Sequence, residues 1–454
     1  MINYRNIGEH SYAWDVIMPY YRFALADTFF KECLIVGREN IPPPGTPTFV
    51  IANHQNSVND ALIMVSMFKD YRQPVSLARG DFFVNNTVAK IFRFWRVMPT
   101  YRKRDSTGKA DMMKNLETFQ IASDILKKGG VIIMFPEAMH QQGRYLGTFK
   151  KGVPRVCFAA EEIAGFQLNL QILPVNLHYS SIQKFREKVL IEIGKPFEIS
   201  ELFETYKNAP NDAYLQFNEK ARNILKSMVL HIEDKEHYDE YDFLREIIRD
   251  YRIKNYYKKY DYYDEFKEEK IVVAELDTLK EKEPEKFQTL ITETKEYRGL
   301  LKKLNFKDFL VHKKITGLGL IAQSLLRLIL LPVFLFGFIN NAIPCGLANL
   351  LTRKIADKVF IGTFRFILGF FLFPIWYLGI LIATSFIFHS FIIGLSLAVL
   401  AFVSLFPFYR YRVNMLKLWQ SWRYYFKRKT QEVSQLKDLK NRILLFFESG
   451  GNES

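Results

Sequence analysis

Four short apolar runs recur through residues 37–200: PTFVIAN (47–53), VIIMFP (131–136), LQILPVNL (170–177) and KVLIEIG (188–194). Each has the length of a buried strand and is apolar throughout rather than alternating, the pattern of strands covered on both faces. Helical periods lie between them. Residues 111–128 put Met112, Leu116, Phe119, Ala122 and Leu126 on one face, end in Lys127-Lys128, and stop at Gly129-Gly130. KGVPRVCFAAE (151–161) is a second helix, with Val156, Phe158 and Ala159 expected on its core face. Strands alternating with helices predict an α/β fold, a mostly parallel sheet flanked by helices.

The pattern changes outside this stretch. Residues 12–35 are aromatic and apolar but interrupted by Asp15, Pro19, Arg22, Asp27, Lys31 and Glu32. They predict an interfacial amphipathic helix or an ordinary core helix rather than a membrane span. After the turn NAPND (208–212) the chain becomes rich in Lys, Glu, Asp and Tyr, as in YRIKNYYKKYDYYDEFKEEK (251–270). That composition predicts helices with solvated charged faces, broken near Pro284. Residues 316–343, 366–388 and 390–408 are long apolar runs. The last two are each long enough to cross a hydrocarbon core of ~30 Å. His389-Ser390 between them fits a tight hairpin. The first run holds Pro332 and is expected to re-enter the membrane or to span it. The flanking stretches LLKKLNFKDFLVHKK, TRKIADK and YRYRVNMLKLWQSWRYYFKRK are basic, which places them on the cytoplasmic side and favours re-entry. The Trp and Tyr residues of 409–425 suit an interfacial anchor. The expected organisation is an N-terminal interfacial helix (1–36), an α/β domain (37–205), a charged helical region (206–314), a membrane region (315–410) and a basic tail (411–454).

Composition narrows the partners. The 454 residues carry a net charge of +15, so anionic partners are expected. The basic residues interleave with apolar runs and no zinc-finger or helicase-like signature occurs, which favours membrane lipid over nucleic acid. The three cysteines, Cys33, Cys157 and Cys345, are widely separated, which argues against a disulfide framework and for a reducing compartment. MINYRNIGEH does not open like a signal peptide.

The stretch VIANHQNSVNDALIM (50–64) carries the chemistry. His54 falls where a strand gives way to a helix, the edge at which open parallel sheets place their sites. An imidazole there can take a proton from a hydroxyl near neutral pH. It needs a partner to fix its tautomer, and Asp60, in the first turn of the next helix, is near enough to bend back. Such a pair without a nucleophilic Ser or Cys implies direct transfer.

NHQNSVND (53–60), FPEAMHQQGR (135–144) and LPVNLHY (173–179) resemble three blocks of the glycerolipid acyltransferase family, which contains glycerol-3-phosphate and 1-acylglycerol-3-phosphate acyltransferases. The resemblance covers residues 37–200. It implies that His54 is a general base oriented by Asp60, activating a glycerol hydroxyl to attack a fatty acyl thioester. The family's first block commonly has four residues between His and Asp; here there are five, so the common register would fall on Asn59. Branches of the family share the longer spacing, and Asp60 is the expected orienter. The second block of the family has an arginine that holds the acceptor's phosphate; in VMPTYRKRD (97–105) Arg102 and Arg104 are the candidates. Phe135, Pro136 and Glu137 match the third block, but Ala138 stands where Gly is usual and no Arg follows directly. Arg144, or Lys150-Lys151, is expected to take the basic role, and Glu137 to position acceptor or base. His140 lies near Glu137, but no third ligand completes a metal pattern.

The resemblance implies a membrane-bound acyltransferase of phospholipid biosynthesis. Its donor is acyl-CoA or acyl carrier protein, its acceptor a phosphorylated glycerol (glycerol 3-phosphate or 1-acylglycerol 3-phosphate), and no metal or other cofactor is expected. The expected location is a bacterial inner membrane with the catalytic domain facing the cytoplasm. Alternatives are another lysolipid acceptor, or a non-catalytic membrane scaffold built on the same domain.

Overall fold

The computed structural model describes residues 2–68, 72–101, 109–137, 143–182, 184–357 and 359–448, with side chains described from 115 onward in the helix that begins at 109. The chain forms two units. The first comprises Met1–His231 with Asp261–Phe266 and Ala356–Phe366; the second comprises Ile232–Tyr260, Lys267–Ile355 and Ile367–Ser454.

The first unit is built on seven strands: β1 (Glu32–Val36), β2 (Thr48–Ala52), β3 (Val75–Arg79), β4 (Val97–Thr100), β5 (Val131–Met134), β6 (Gln171–Tyr179) and β7 (Lys188–Ile193). Their order is β1-β7-β6-β2-β5-β3-β4. The five strands from β6 to β4 are parallel; β7 runs antiparallel to β6, and β1 runs with β7. β2 is central, with Val50 opposite Ile133 on one side and Leu173 on the other, and all five of its residues are buried. The mostly parallel sheet flanked by helices is the architecture that the apolar runs predict.

The unit's helices are α1 (Tyr12–Arg22), α2 (Val58–Met64), α3 (Asn86–Phe94), α4 (Lys109–Lys127), α5 (Gly152–Ile163), α6 (Phe203–Asn208) and α7 (Pro210–Met228). Gly129 ends α4 with φ +71, and an added Cβ there would lie 2.2 Å from the Gly45 carbonyl oxygen, so only glycine fits. α5 buries Val153, Val156, Cys157 and Ala160, the i, i+3, i+4, i+7 stripe, together with Phe158. Ala159, expected inside, is only half-buried because it falls off that stripe. Ala213, Phe217, Ala221 and Leu225 of α7 enter the same core, so the unit continues past the expected boundary at 205.

The expected single helix over 12–35 is corrected. α1 passes into a π-helical turn at Phe23–Phe29, the backbone becomes extended at Phe30, and Glu32–Val36 joins the sheet beside β7. Ile35 and Val36 are β-branched and gain a backbone ladder from this pairing.

The second unit contains α8 (Tyr238–Tyr256), most of α9 (Tyr262–Lys282), α10 (Pro284–Leu304), α11 (Gly317–Ile329), α12 (Leu331–Thr352), most of α13 (Val359–Ile387), α14 (Phe391–Val403), α15 (Leu405–Lys427) and α16 (Gln431–Glu448). Pro284 opens α10, where its missing N–H is not needed. Not every charge here is solvated: Arg245 of α8 pairs with Glu269 of α9 at 2.8 Å, both 1% exposed. Burial is tolerated because each charge has a partner.

Residues 331–352, 359–387 and 391–427 are long and apolar enough to cross a membrane, which marks the chain as membrane-associated. The apolar run expected over 316–343 is divided: α11 ends at Ile329, Pro332 sits in the first turn of α12, and α12 continues through Pro344 to Thr352. At 13 residues α11 is about 20 Å long, too short to span. The hairpin expected at His389-Ser390 is present. His389 takes φ 50 and Ser390 caps α14 by accepting from the Ile393 N–H.

Polar contacts join these apolar helices. Asn341 of α12 is fully buried; its amide donates to Ser404 Oγ at 3.0 Å and accepts from the Tyr377 hydroxyl at 2.6 Å. Pro344 has no N–H to offer the carbonyl four residues back, and that carbonyl, of Asn340, instead accepts from Trp376 Nε1 of α13 at 2.6 Å.

Candidate active site

The site forms at the carboxyl edge of the sheet, where β2 ends. Asn53 extends the β2–β6 pairing by one side chain. Its amide donates to the Leu177 carbonyl at 2.9 Å and accepts from the Leu177 N–H at 2.7 Å. His54 follows. Its ring stacks on Phe135 at the end of β5, with centroids 4.1 Å apart and 16° between planes. The chain then turns through Ser57, whose φ of 49 is unusual for a residue with a side chain, and enters α2.

That turn folds the loop around the Asp60 carboxylate. Oδ2 accepts from His54 Nδ1 at 2.8 Å and from the backbone N–H groups of Gln55 and Asn56, each at 2.8 Å. Oδ1 accepts from the Tyr179 hydroxyl at 2.7 Å. The Asp60 side chain is wholly buried, while the His54 side chain is 17% exposed. A carboxylate can only accept, so Nδ1 carries the proton and Nε2 is the ring atom with basic character. The longer spacing is absorbed at Ser57, and Asp60, not Asn59, meets the ring. Among the described residues, both polar atoms of the Asn59 amide are buried without a hydrogen-bond partner.

Glu137, also buried, ties two loops together. Oε1 accepts from the His54 N–H at 2.9 Å and Oε2 from the Gly147 N–H at 2.7 Å. Burial pushes its carboxyl from 4.5 up to about 7, against the two N–H groups, which favour the charged form. Both oxygens are thus engaged by backbone, and one of them fixes the His54 peptide.

Arg144, half-buried, lies beside the end of β6. Nη2 donates to the Tyr179 carbonyl at 3.2 Å, and Nη1 lies 3.3 Å from His178 Nδ1. Lys151 Nζ donates to Asn211 Oδ1 at 3.2 Å. Arg102 and Arg104 lie outside the described residues, as do Ala138 and His140. The structure therefore brings together His54, Asp60 and Glu137, and sets Arg144 against the residue that supports Asp60. Among the described residues no group of three or more His, Cys, Asp or Glu side chains is placed to hold a metal ion.

Sequence reasoning missed Asn53 and Tyr179 as parts of the site. Tyr179 closes the LPVNLHY block, and a polar-tipped aromatic at the carboxyl end of a strand beside β2 was the available signal. A buried carboxylate holding an imidazole at a strand's carboxyl end can orient a general base toward a hydroxyl group.

The family model described as Acyltransferase matches residues 33–178, from β1 to β6. The glycerol-3-phosphate O-acyltransferase 2 of Saccharomyces cerevisiae is 30% identical over 126 residues, 28% of this chain and 17% of that protein. A chloroplastic 1-acyl-sn-glycerol-3-phosphate acyltransferase of Arabidopsis thaliana is 28% identical over 123 residues, 27% of this chain and 32% of that protein. A crystal structure of the 1-acyl-sn-glycerophosphate acyltransferase of Thermotoga maritima matches with a TM-score of 0.32 and 17% identity, over 46% of this chain and 79% of that one. The chain spans less than a third of the length of these two curated relatives.

Proposed function

We propose that residues 33–178, which match the Acyltransferase family model, form a glycerolipid acyltransferase domain and make this chain a membrane-bound O-acyltransferase of phospholipid biosynthesis. Its donor is a fatty acyl thioester, on coenzyme A or acyl carrier protein. Its acceptor is a hydroxyl of glycerol 3-phosphate or of 1-acylglycerol 3-phosphate, the two acceptors named by the relatives it resembles.

The observation that carries this reading is the 2.8 Å contact between His54 Nδ1 and the buried Asp60 carboxylate at the end of β2. In the proposed reaction His54 Nε2 takes the proton of the acceptor hydroxyl as its oxygen attacks the thioester carbonyl. The developing imidazolium is stabilised by Asp60. Collapse of the tetrahedral adduct breaks the carbon–sulfur bond, and the proton on His54 passes to the departing thiolate. Glu137 holds the His54 backbone, and Arg102 or Arg104 is the proposed phosphate ligand. The basic stretches beside the apolar helices support a cytoplasmic catalytic domain, where soluble thioesters are available.

The test is acyl transfer from palmitoyl-CoA by detergent-purified protein, to glycerol 3-phosphate in one reaction and 1-acylglycerol 3-phosphate in another. Product in one reaction, absent with His54→Ala, identifies the acceptor and supports the base. Activity undiminished by His54→Ala removes the mechanism.

A further inference from the structure

We infer that Tyr179 is a positioning residue for the base pair: its hydroxyl secures the second oxygen of Asp60 and, through that carboxylate, tunes the basicity of His54. This rests on the reading of His54 as the base.

The geometry is specific. Asp60 is wholly buried and its two oxygens are served unequally. Oδ2 takes the imidazole and two backbone N–H groups, while the Tyr179 hydroxyl, at 2.7 Å, serves Oδ1. Three of the four donors come from the loop that carries His54. Tyr179 alone comes from the neighbouring strand β6, 119 residues away, so it fixes the carboxylate against the scaffold rather than against its own loop. The phenol is held at both ends. Its backbone pairs with Val189 of β7, its carbonyl accepts from Arg144, and its ring, 1% exposed, packs against Phe30 with centroids 5.9 Å apart.

Electrostatics gives the bond a measurable consequence. Each donor to a desolvated carboxylate lowers its affinity for a proton. A carboxylate with fewer donors pulls harder on the Nδ1 proton and makes the imidazole more basic. Burial and the Asp60 charge push the Tyr179 phenol well above its usual range, so it remains a neutral donor across the neutral pH range. Among the described residues, the other groups facing this network include Glu137 at the His54 backbone, Cys33 and Tyr21 beside the phenol, and Arg144 and His178 at the end of β6. Tyr179→Phe leaves all of them in place and removes one oxygen atom.

The experiment is kcat/KM against pH for the full chain in detergent. It uses palmitoyl-CoA and whichever of glycerol 3-phosphate and 1-acylglycerol 3-phosphate is accepted. For Tyr179→Phe the acid limb is expected to move upward by roughly half to one pH unit. Rates are then lost below the limb and largely kept on the plateau. A limb at the wild-type position in folded Tyr179→Phe protein overturns the inference, since a merely structural tyrosine would lower rates at every pH alike. Should that variant not fold, 3-fluorotyrosine placed at position 179 decides the matter, because its more acidic hydroxyl donates more strongly to Asp60 at nearly the same size. A limb moved below the wild-type position supports the inference, and an unmoved limb overturns it. His54→Ala separates the two claims. Activity in His54→Ala removes the base itself, whereas an inactive His54→Ala beside an unshifted Tyr179→Phe removes only the role of Tyr179.

Discussion

Replacing Asp60 by asparagine separates shape from charge at the site. The carboxylate accepts four hydrogen bonds, three on Oδ2 and one on Oδ1. In Asp60→Asn the amide oxygen can take the three donors of Oδ2, and the amide nitrogen can donate to the Tyr179 oxygen after the hydroxyl turns. The fold is therefore expected to survive. What is lost is a negative charge 2.8 Å from Nδ1. An opposite charge in direct contact is worth about one to three pKa units to an imidazolium, so kcat/KM is expected to fall roughly 10- to 1000-fold. Asp60→Ala behaves differently. It strands the Gln55 and Asn56 N–H groups and the Tyr179 hydroxyl, at about 1–3 kcal/mol for each donor left buried. A melting temperature lower by roughly 10 °C is expected in addition to lost activity. Asn59→Ala removes an amide without partners among the described residues and is expected to leave rates within a few-fold of wild type. The assay is the initial rate of acyl transfer, read beside thermal unfolding in the same detergent. Wild-type rates in Asp60→Asn, together with a crippled Asn59→Ala, would refute this account and move the orienting role to the family's usual register.

Two further outcomes follow from other parts of the chain. The Glu137 carboxyl is raised from 4.5 to about 7 in the folded state, so protonation favours folding. Its contribution is full below about pH 4.5 and is lost as the pH rises through 7, up to about 3 kcal/mol in all. Glu137→Gln should therefore flatten the decline in melting temperature across that window, and curves that stay parallel for the two proteins would count against the raised carboxyl. Asn341→Ala removes the hydrogen bonds to Ser404 and Tyr377 and is expected to destabilise the apolar helices by about 1–2 kcal/mol. Unfolding in graded detergent denaturation reads this, and an unchanged midpoint would show that these bonds hold little.

Legibility in the sequence followed burial and sequence distance. The strands read in advance, β2, β5, β6 and β7, are the well-covered ones, whose residues must be apolar on both faces. The three not read lie toward the edges of the sheet. β3 has the mixed run VSLAR, β4 includes Pro99, which an edge strand tolerates, and β1 was hidden at the end of a helical pattern. At the site, His54 and Asp60 were legible because they lie six residues apart and the chemistry of a base calls for both. Asn53 and Tyr179 were not, because their partners are 124 and 119 residues away and only the order of strands brings them together. Arg144 donates to the Tyr179 carbonyl, a contact no local pattern encodes.

Pro344 carries one more consequence. A proline within an apolar helix is usually counted as a flaw, because it silences one rung of the backbone ladder. In hydrocarbon no water can answer the carbonyl left behind, so the missing rung becomes an address rather than a gap. The Asn340 oxygen is delivered to Trp376, and with the neighbouring Tyr377–Asn341 bond that exchange distinguishes α13 from any other greasy helix alongside α12. Where nearly every surface is equally oily, the chain writes its neighbour list in the few places where its own backbone is left unfinished.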